Sequence, residues 1–361
     1  MGTTLIRHSS FVIRHSSFLE RTMSSLIVVH PEFEATWPLV ADELYTLFVT
    51  QGPAELMRLA DDERRPLGQL VAHPAGVTRL ITLGVPVTAE CLERFVELRE
   101  AAFQGAYRRL FDDTAWLAAR DVRIYTQPSE GFWGQSVAEF ALALTLCGLR
   151  RIPQLHHEIL TSQASWSYAP SNGIGRPGAR GAQYGDDPRF TNGTIAGKRV
   201  RIVGAGNISS RYASFTHMLG ADVAAWDPFA SEPGFHRAGA RKEWHLDRLV
   251  RDAEIFAPML PLTDATKGII TAAHIRALPT GCLVVLATRA AICDMAALRA
   301  RVLADELALA ADVFDVEPLA LDDPLLGRHN VVHTPHNAGR TRHANQQWAA
   351  ALFEQFEPLG E

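Results

Sequence analysis

Residues 198–210 read KRVRIVGAGNISS: an apolar run enters two glycines, and a polar segment leaves them. This order predicts a strand, a tight turn and a helix, the setting in which a G-x-G-x-x-G pattern binds a dinucleotide. Gly204 permits the turn, and Gly206 lets the backbone approach a pyrophosphate, which the amides at the start of the helix then face. Ser209 stands where the pattern has its third glycine. Because that glycine mainly lets helix and strand pack closely, we expect the serine to leave the phosphate site intact.

Asp227 ends the next predicted strand, residues 222–227, and is followed by Pro228. A carboxylate at this point can accept hydrogen bonds from both hydroxyls of an adenosine ribose, and it repels a 2′-phosphate. The position therefore indicates NAD rather than NADP. The alternative is an aspartate that only caps the turn before Pro228.

Length and composition describe a globular protein with room for two domains. The chain has 361 residues, 47% hydrophobic and 21% charged, with a formal net charge of −5 and no basic block, which argues against nucleic-acid binding. Cys91, Cys147, Cys282 and Cys293 form no C-x-x-C pair and are typical of core residues in a reducing compartment, here the cytoplasm. The most apolar run, 140–149, has about half of the ~20 residues that a membrane span needs. It predicts a buried helix in a soluble protein with no membrane contact.

The first 23 residues stand apart from the rest. The sequence IRHSSF occurs at 6–11 and again at 13–18, and Met23 follows. Because Ser-Ser pairs favour turns over helix interiors, we expect a disordered tail, for example translated upstream sequence. The alternative is an Arg- and Ser-rich targeting segment.

From residue 24 onward, short aliphatic runs alternate with helical segments, which predicts parallel sheets covered by helices. Before the glycine turn we expect strands at 26–30, 79–84, 101–103 and 122–126, and helices at 36–49, 88–98, 112–119 and 135–151. A Gly- and Pro-rich loop at 162–197 is either a surface excursion, or a flap near a site or an oligomer arm. After it we expect six strands, at 198–204, 222–227, 254–259, 282–287, 307–314 and 331–334. Helices at 207–219, 245–252, 271–277, 294–305 and 340–356 complete a doubly wound dinucleotide fold.

Three polar residues follow predicted strands at positions that strand packing does not explain. Arg289 comes after a buried strand, and its planar guanidinium suits a carboxylate partner. Glu317 and His336 also come just past strands. A glutamate beside a histidine favours the imidazolium form, which can donate a proton near neutrality.

Four further motifs follow the glycine turn in a fixed order: LPLT (260–263), ATRAAICD (287–294), DVFDVEP (312–318) and TPHNAG (334–339). In this order they resemble the D-2-hydroxyacid dehydrogenases, strongly over 197–345 and only schematically over 24–130. The resemblance implies an α/β protein in which a Rossmann NAD domain is inserted into a smaller flavodoxin-like substrate domain. Residues 24–130 and 336–361 would form the substrate domain, and 131–335 the NAD-binding domain.

The resemblance also implies site residues and a reaction. The family's Arg, Glu and His map onto Arg289, Glu317 and His336. Its NAD contacts map onto Gly204, Gly206, Asn207, Ile208, Asp227, the backbone at Ala257 and Thr288, and Asp312 near the nicotinamide carboxamide. The implied reaction is hydride transfer between the nicotinamide and C2 of a small 2-oxo or 2-hydroxy acid. Arg289 would bind the substrate carboxylate, and His336 would be the acid and base, oriented by Glu317. Relatives are usually dimers, so a homodimer is expected.

The chain departs from the family pattern at several points. Ala290 and Ala291 replace two glycines after the arginine, and FQGAYRR (103–109) is an imperfect match to the glycine-rich loop that binds the substrate carboxylate. Cofactor binding is therefore better supported than substrate recognition.

Three other interpretations compete with the dehydrogenase. The group His329, His333, His336 and His343 could suggest a metal site, but the spacing matches no zinc pattern and we expect none. An NAD-binding regulatory or scaffold protein of the same fold could retain the Arg/Glu/His set. Formate dehydrogenase is similar to this family but has glutamine where Glu317 stands, which argues against it.

Overall fold

The computed structural model describes residues 25–106, 110–111, 114–127, 132–163, 166 and 185–358. The chain divides into two compact units, the first made of Met1–Gln127 and Ala349–Glu361 and the second of Pro128–Trp348. In the sequence, most of the first unit precedes the second unit, and the last residues of the chain belong to the first unit again. This is the inserted arrangement that the sequence predicts. The repeat within residues 1–23 lies outside the described residues.

The first unit holds one parallel sheet. Its strands are β1 Ser25–Val29, β2 Ala54–Arg58, β3 Arg79–Leu83, β4 Glu100–Gln104 and β5 Arg123–Tyr125, and its helices are α1 Pro31–Glu34, α2 Val40–Val49, α3 Leu67–Leu70, α4 Ala89–Leu92 and α5 Thr114–Ala118. The strand order is β2-β1-β3-β4-β5, and all neighbours are parallel. This is the flavodoxin-like order, which confirms the predicted fold class.

Two expectations for the first unit were wrong in detail. Strand β2 was not predicted, because its residues AELMR include no β-branched side chain and no fully buried position. The helix expected at 88–98 ends at Leu92, because the amides of Phe95 and Leu98 bond three residues back in successive turns. Phe95 and Leu98 are still buried, so the apolar spacing of this segment reflects core packing rather than a long helix.

The second unit holds a larger parallel sheet. Its strands are β6 Arg199–Val203, β7 Asp222–Trp226, β8 Arg241–Lys242, β9 Ile255–Pro258, β10 Leu283–Leu286, β11 Ala308–Ala311 and β12 Val331–His333. Its helices are α6 Phe132–Arg150, α7 Ile152–Thr161, α8 Asn207–Met218, α9 Glu232–Arg237, α10 Leu246–Leu249, α11 Ala272–Ala277 and α12 Met295–Leu303, and α13 Arg342–Phe353 continues past Trp348 into the first unit. All six predicted strands are present, and the two-residue β8 was missed.

The strand order of the second sheet is β12-β11-β10-β9-β6-β7-β8. The chain runs outward from β6 in one direction and then, from β9, in the other, which is the doubly wound Rossmann order. The point where the direction reverses lies between β6 and β9. In such sheets, ligands bind beyond the carboxyl ends of the strands at this point.

Helix α6 crosses the face of the second sheet. By length and composition alone it is apolar enough to span a membrane. It nevertheless packs on β10, β11, β12 and α8, and its Val137, Ala138, Ala141 and Leu144 are buried in the core with Leu283. It is therefore a core helix, as the sequence predicts.

The division between the units falls at 348/349 rather than at 335/336. Ala338 belongs to the buried core of the second unit together with Val332. Its backbone amide also donates to the Asp312 carboxylate of the same unit. The residues after His336 therefore belong to the second unit as far as Trp348, which lies within α13.

A buried ion pair fastens the end of the chain to the first unit. Arg79 and Glu100, whose side chains are 2% and 5% exposed, pair at 2.8 Å between Nε and Oε2. The other oxygen of Glu100 accepts from the Tyr125 hydroxyl at 2.7 Å and from the Glu357 amide at 2.9 Å. Arg79 lies beside the rings of Phe48 and Phe356. Burial, and then the hydrogen bond to Glu100, raises the pKa of Tyr125 to about 12, so this donor stays protonated at physiological pH.

We expect Glu100→Ala to destabilise the protein by about 3 kcal/mol or more, since it leaves the buried Arg79 charge with only neutral partners, the Gln51 side chain and the Glu357 carbonyl. Urea denaturation measures this change. Arg58→Ala is the matched control: its pairs with Glu34 and Asp42 are largely exposed, and exposed pairs contribute under about 1 kcal/mol. Equal losses for the two variants would show that the buried network does not fasten the chain end.

Candidate active site

The glycine turn after β6 has the geometry that its sequence predicts. Gly204 has φ +105°, and a Cβ built there would lie 2.7 Å from the Met259 carbonyl oxygen, so only glycine fits. Gly206 has φ −77°, and a Cβ built on it would meet nothing within 4 Å. The backbone at Gly206 therefore borders open space, which suits the close approach of a pyrophosphate.

The start of α8 faces the same space. Gly206 is the N-cap, and no side chain caps the helix, so its first amides are open to an anion. Ser209 is buried in the first turn, and its hydroxyl donates to the Gly206 carbonyl at 3.2 Å. Ser209 is therefore packed within the first turn of α8, and its side chain does not lie on the open side of the glycine turn. Ile208 is partly buried against the core.

Asp227 binds three backbone amides. Its Oδ2 accepts from Ala205 of the glycine turn at 2.9 Å, and its Oδ1 accepts from Phe229 at 2.9 Å and Ala230 at 3.1 Å. The carboxylate therefore caps the turn after β7, which the sequence analysis considered as the alternative to ribose binding. It also ties that turn to the glycine turn. The two functions are compatible, because a carboxylate has about four acceptor positions.

Arg289 follows β10, with Thr288 just before it. Thr288 is buried, and Arg289 is half-buried. One guanidinium nitrogen, Nη1, donates to the Thr288 carbonyl at 2.7 Å. Within the described part of the chain the guanidinium makes no ion pair, so its remaining donors can bind an anionic group.

Glu317 and His336 meet, although the sequence separates them by a long loop. The Nδ1 atom of His336 lies 2.7 Å from Oε2 of Glu317. The other oxygen of Glu317 accepts from the Phe314 amide at 2.8 Å, which fixes the carboxylate. With Nδ1 engaged, Nε2 is the ring nitrogen left to face a ligand, and no described residue bonds to it.

Asp312 holds the segment that carries His336. It follows β11 and is fully buried. Its carboxylate accepts from the Thr334 hydroxyl at 2.6 Å, the Asn337 amide at 3.1 Å and the Ala338 amide at 2.9 Å. The resemblance had suggested a place near the nicotinamide carboxamide. In the structure these three donors let the carboxylate position the loop around His336, and its contact with the carboxamide stays a prediction.

Two cofactor positions taken from the resemblance look different in the structure. Ala257 lies inside β9, opposite Ile202 of β6, and has no exposed surface for a ligand to touch. The residues that lie against the glycine turn are instead Met259 and Leu260, just past that strand. The LPLT motif begins at Leu260 and was the available signal. Asn207 does start α8, but its side chain is bonded to Arg211.

The other sequence expectations concern loops and histidines. Of the loop at 162–197, only 162–163, 166 and 185–197 are described, and residues 107–109 of FQGAYRR lie outside the described residues. Among the residues that the structure describes, no group of three or more His, Cys, Asp and Glu side chains could hold a metal ion. His336 pairs with Glu317, whereas His329 lies 3.4 Å from Asp305.

The open space at Gly206 leads to a prediction about the glycine turn. Gly206→Val should fold, because a Cβ at this position meets no protein atom within 4 Å, but it should abolish NAD binding by filling the phosphate position. Ser209→Gly is the matched control and should leave NAD affinity within a few-fold. Direct NADH titrations of both variants provide the measurement. Normal NADH binding by Gly206→Val would place the phosphate site elsewhere.

The contacts of Asp227 refine the expected cofactor preference. The unmutated protein should bind NADH at least about tenfold more tightly than NADPH, a difference of about 1.4 kcal/mol. Asp227→Ala should reduce this difference in affinity. It should do so mainly by weakening the binding of NADH, because the Ala205 amide of the glycine turn also loses its acceptor. Titrations with both cofactors test this. Equal affinities in the unmutated protein would refute the assignment.

Comparison with known proteins finds relatives of one kind. The chain is 32% identical to a D-3-phosphoglycerate dehydrogenase of Archaeoglobus fulgidus over 210 residues, 58% of this chain and 36% of that protein. It is 29% identical to a glyoxylate reductase of Aeropyrum pernix over 246 residues, 68% of this chain and 69% of that protein. The chain spans half or less of the length of the phosphoglycerate dehydrogenases that it matches.

A solved structure shares the fold. The D-isomer specific 2-hydroxyacid dehydrogenase of Lactobacillus delbrueckii ssp. bulgaricus, in its NAD-complexed form, matches with a TM-score of 0.65 at 16% identity. The match covers 91% of this chain and 95% of that one.

The family model described as the NAD binding domain of D-isomer specific 2-hydroxyacid dehydrogenases matches residues 142–338, more than half of the chain. The matched residues include the glycine turn, Asp227 and the Glu317–His336 pair. The open turn at Gly206 and the uncapped start of α8 fit the cofactor of this domain, and NAD is accordingly the cofactor. The chain therefore belongs to the D-isomer specific 2-hydroxyacid dehydrogenases.

Proposed function

We propose that this protein is an NAD-dependent D-2-hydroxyacid dehydrogenase in which His336 is the acid and base, Glu317 orients it and Arg289 binds the substrate carboxylate. The observation that carries the proposal is the 2.7 Å contact between His336 Nδ1 and Glu317 Oε2. A carboxylate on one ring nitrogen orients the imidazole and leaves the other nitrogen for proton transfer.

The proton transfer takes place at the His336–Glu317 pair. When a 2-oxo acid is reduced, Nε2 of the His336 imidazolium donates a proton to the carbonyl oxygen, and when a 2-hydroxy acid is oxidised, the neutral ring accepts it back. Glu317 can hold the ring steadily because its second oxygen is bound to the Phe314 amide. Bound NAD supplies the hydride chemistry.

Arg289 is suited to the acid end of the substrate. Its planar guanidinium can bind a carboxylate through two parallel hydrogen bonds and place the neighbouring carbonyl for reaction. The hydrogen bond from Nη1 to the Thr288 carbonyl holds one side of this group in place. Arg289 follows β10, and β10 neighbours β11, the strand that leads to Asp312. Parallel strands bring such residues to one edge of the sheet.

We extend the proposal to the substrate and the assembly. Relatives named glyoxylate reductase and D-3-phosphoglycerate dehydrogenase support a small 2-oxo or 2-hydroxy acid, and the cytoplasm is the proposed compartment. A homodimer is supported by α7, in which no residue is buried and Ile152, Ile159 and Leu160 are exposed. Exposed apolar groups on one helix suit a protein partner.

Steady-state kinetics test the proposal, with glyoxylate, hydroxypyruvate, pyruvate and bulkier 2-oxo acids as substrates. His336→Ala should lower the rate about a hundredfold or more and leave NADH binding nearly intact. His333→Ala is the matched control, because this exposed histidine lies three positions away and its side chain, within the described part of the chain, hydrogen-bonds only to the Gly327 amide, at 3.5 Å. Arg289→Ala should impair both substrate affinity and rate.

The pH dependence gives an independent check. Reduction needs the imidazolium and should slow as pH rises, whereas oxidation needs the neutral ring and should show the opposite trend. Glu317→Gln should slow both directions, because it removes the carboxylate that orients the ring. An unchanged rate in His336→Ala would refute the role of His336. NADH binding without turnover on any 2-oxo acid would favour a regulatory or scaffold protein.

A further inference from the structure

Arg211 is a cation for which the dehydrogenase mechanism has no use. It lies in the second turn of α8 and is exposed. Its Nε donates to Asn207 Oδ1 at 2.9 Å, and its Nη1 donates to Gln135 Oε1 at 3.0 Å. Both acceptors are neutral amides. Within the described part of the chain, no carboxylate pairs with this guanidinium.

The two amides form a bracket that sets the position of Arg211. Asn207 lies directly against α6 because residue 134 is glycine: a Cβ there would be 2.5 Å from Asn207 Oδ1. Gln135, the next residue of α6, gives its side-chain NH₂ to Glu139, which leaves its oxygen for Arg211. We call Gly134, Gln135, Asn207 and Arg211 the α6–α8 bracket. Although Arg211 is in the second turn of α8, its guanidinium therefore lies beside Asn207, the first residue of the helix.

This is an unfavourable place for an unpaired cation. The start of a helix carries a partial positive charge, which favours anions and disfavours cations. Two neutral acceptors satisfy the hydrogen bonds of Arg211 without neutralising its charge. The same helix start has uncapped amides and borders the open space at Gly206. An anion in that space would be stabilised by the amides and by the guanidinium together.

We infer that Arg211 binds the pyrophosphate of NAD, held in place for that task by Asn207 and Gln135. The inference rests on the NAD site of the second unit and not on the proposed dehydrogenase reaction. The competing explanation is that Arg211 only links α6 to α8. A purely structural link would affect all ligands of the site alike, whereas a pyrophosphate contact acts only on ligands that carry phosphate.

Direct titrations of the full-length protein separate these explanations, with NADH, ADP-ribose and adenosine as probes. Arg211→Gln should weaken NADH and ADP-ribose by about tenfold or more, the size of one charge-assisted hydrogen bond. Adenosine affinity should stay within twofold. The loss of affinity on adding salt should be smaller in the variant than in the unmutated protein, because one screened attraction is gone. Arg211→Lys keeps the charge and should recover part of the affinity.

Arg251→Gln is the matched control. It removes one exposed positive charge from the loop that precedes β9, at the opposite edge of the sheet from the glycine turn, and should leave all three affinities unchanged. Melting temperatures without ligand show whether each variant is folded. Gln135→Ala offers a milder test, since it loosens the bracket but keeps the cation, and should weaken NADH by a few-fold. The inference is overturned if Arg211→Gln binds NADH and ADP-ribose within twofold of the unmutated protein, or if it weakens adenosine by the same factor.

Discussion

The buried carboxylate of Asp312 is the interaction on which the active-site edge of the second unit depends. It stands at the end of β11, where its own amide still bonds to the Leu286 carbonyl of β10. From this fixed point it accepts three hydrogen bonds from the segment that follows β12. A polar side chain buried away from solvent is tolerated only when hydrogen-bond partners such as these surround it. The cluster therefore holds the loop in one conformation.

This loop conformation places the backbone of His336 in an unfavourable region. His336 has φ +54°, a left-handed conformation that disfavours side chains other than glycine by roughly 1–2 kcal/mol. Asp312 binds the two amides that come directly after His336, and so offsets the strain. The result is an imidazole whose Nδ1 lies against Glu317 without further adjustment. In the proposed mechanism, preorganisation of this kind lowers the entropy that must be lost when a substrate is aligned.

On the other side of the site, three glycines let neighbouring groups lie close to the backbone. Gly204 lies against the Met259 carbonyl, Gly148 of α6 lies against the Leu283 side chain, and Gly134 lies against Asn207. Thr145 of α6 and Tyr212 of α8 add a fully buried hydroxyl pair at 2.8 Å. Burial raises the pKa of the Tyr212 phenol far above its usual value, so it stays neutral. Helix α6, which precedes the whole sheet in the chain, thereby sets where α8 begins, and with it where an anion can be held.

The sequence alone determined the fold class, all six main strands of the second sheet and the glycine turn, because each of these depends on local apolar runs and on glycine chemistry. It also placed Glu317 and His336 just past strands, and parallel strands bring such residues to one edge. It could not show that Arg201, a charged residue within the run KRVRIV, is buried in β6 by pairing with Asp222 and Asp252. Nor could it show β2, the end of α4 or the unit boundary at Trp348. The contact of Asp227 with the glycine turn, the contacts of Asp312 with the loop around His336 and the contact of Arg211 with Gln135 were decided only by the tertiary structure. In each, donor and acceptor come from segments that are distant in the chain, and only the packing of sheet and helices brings them within hydrogen-bond distance.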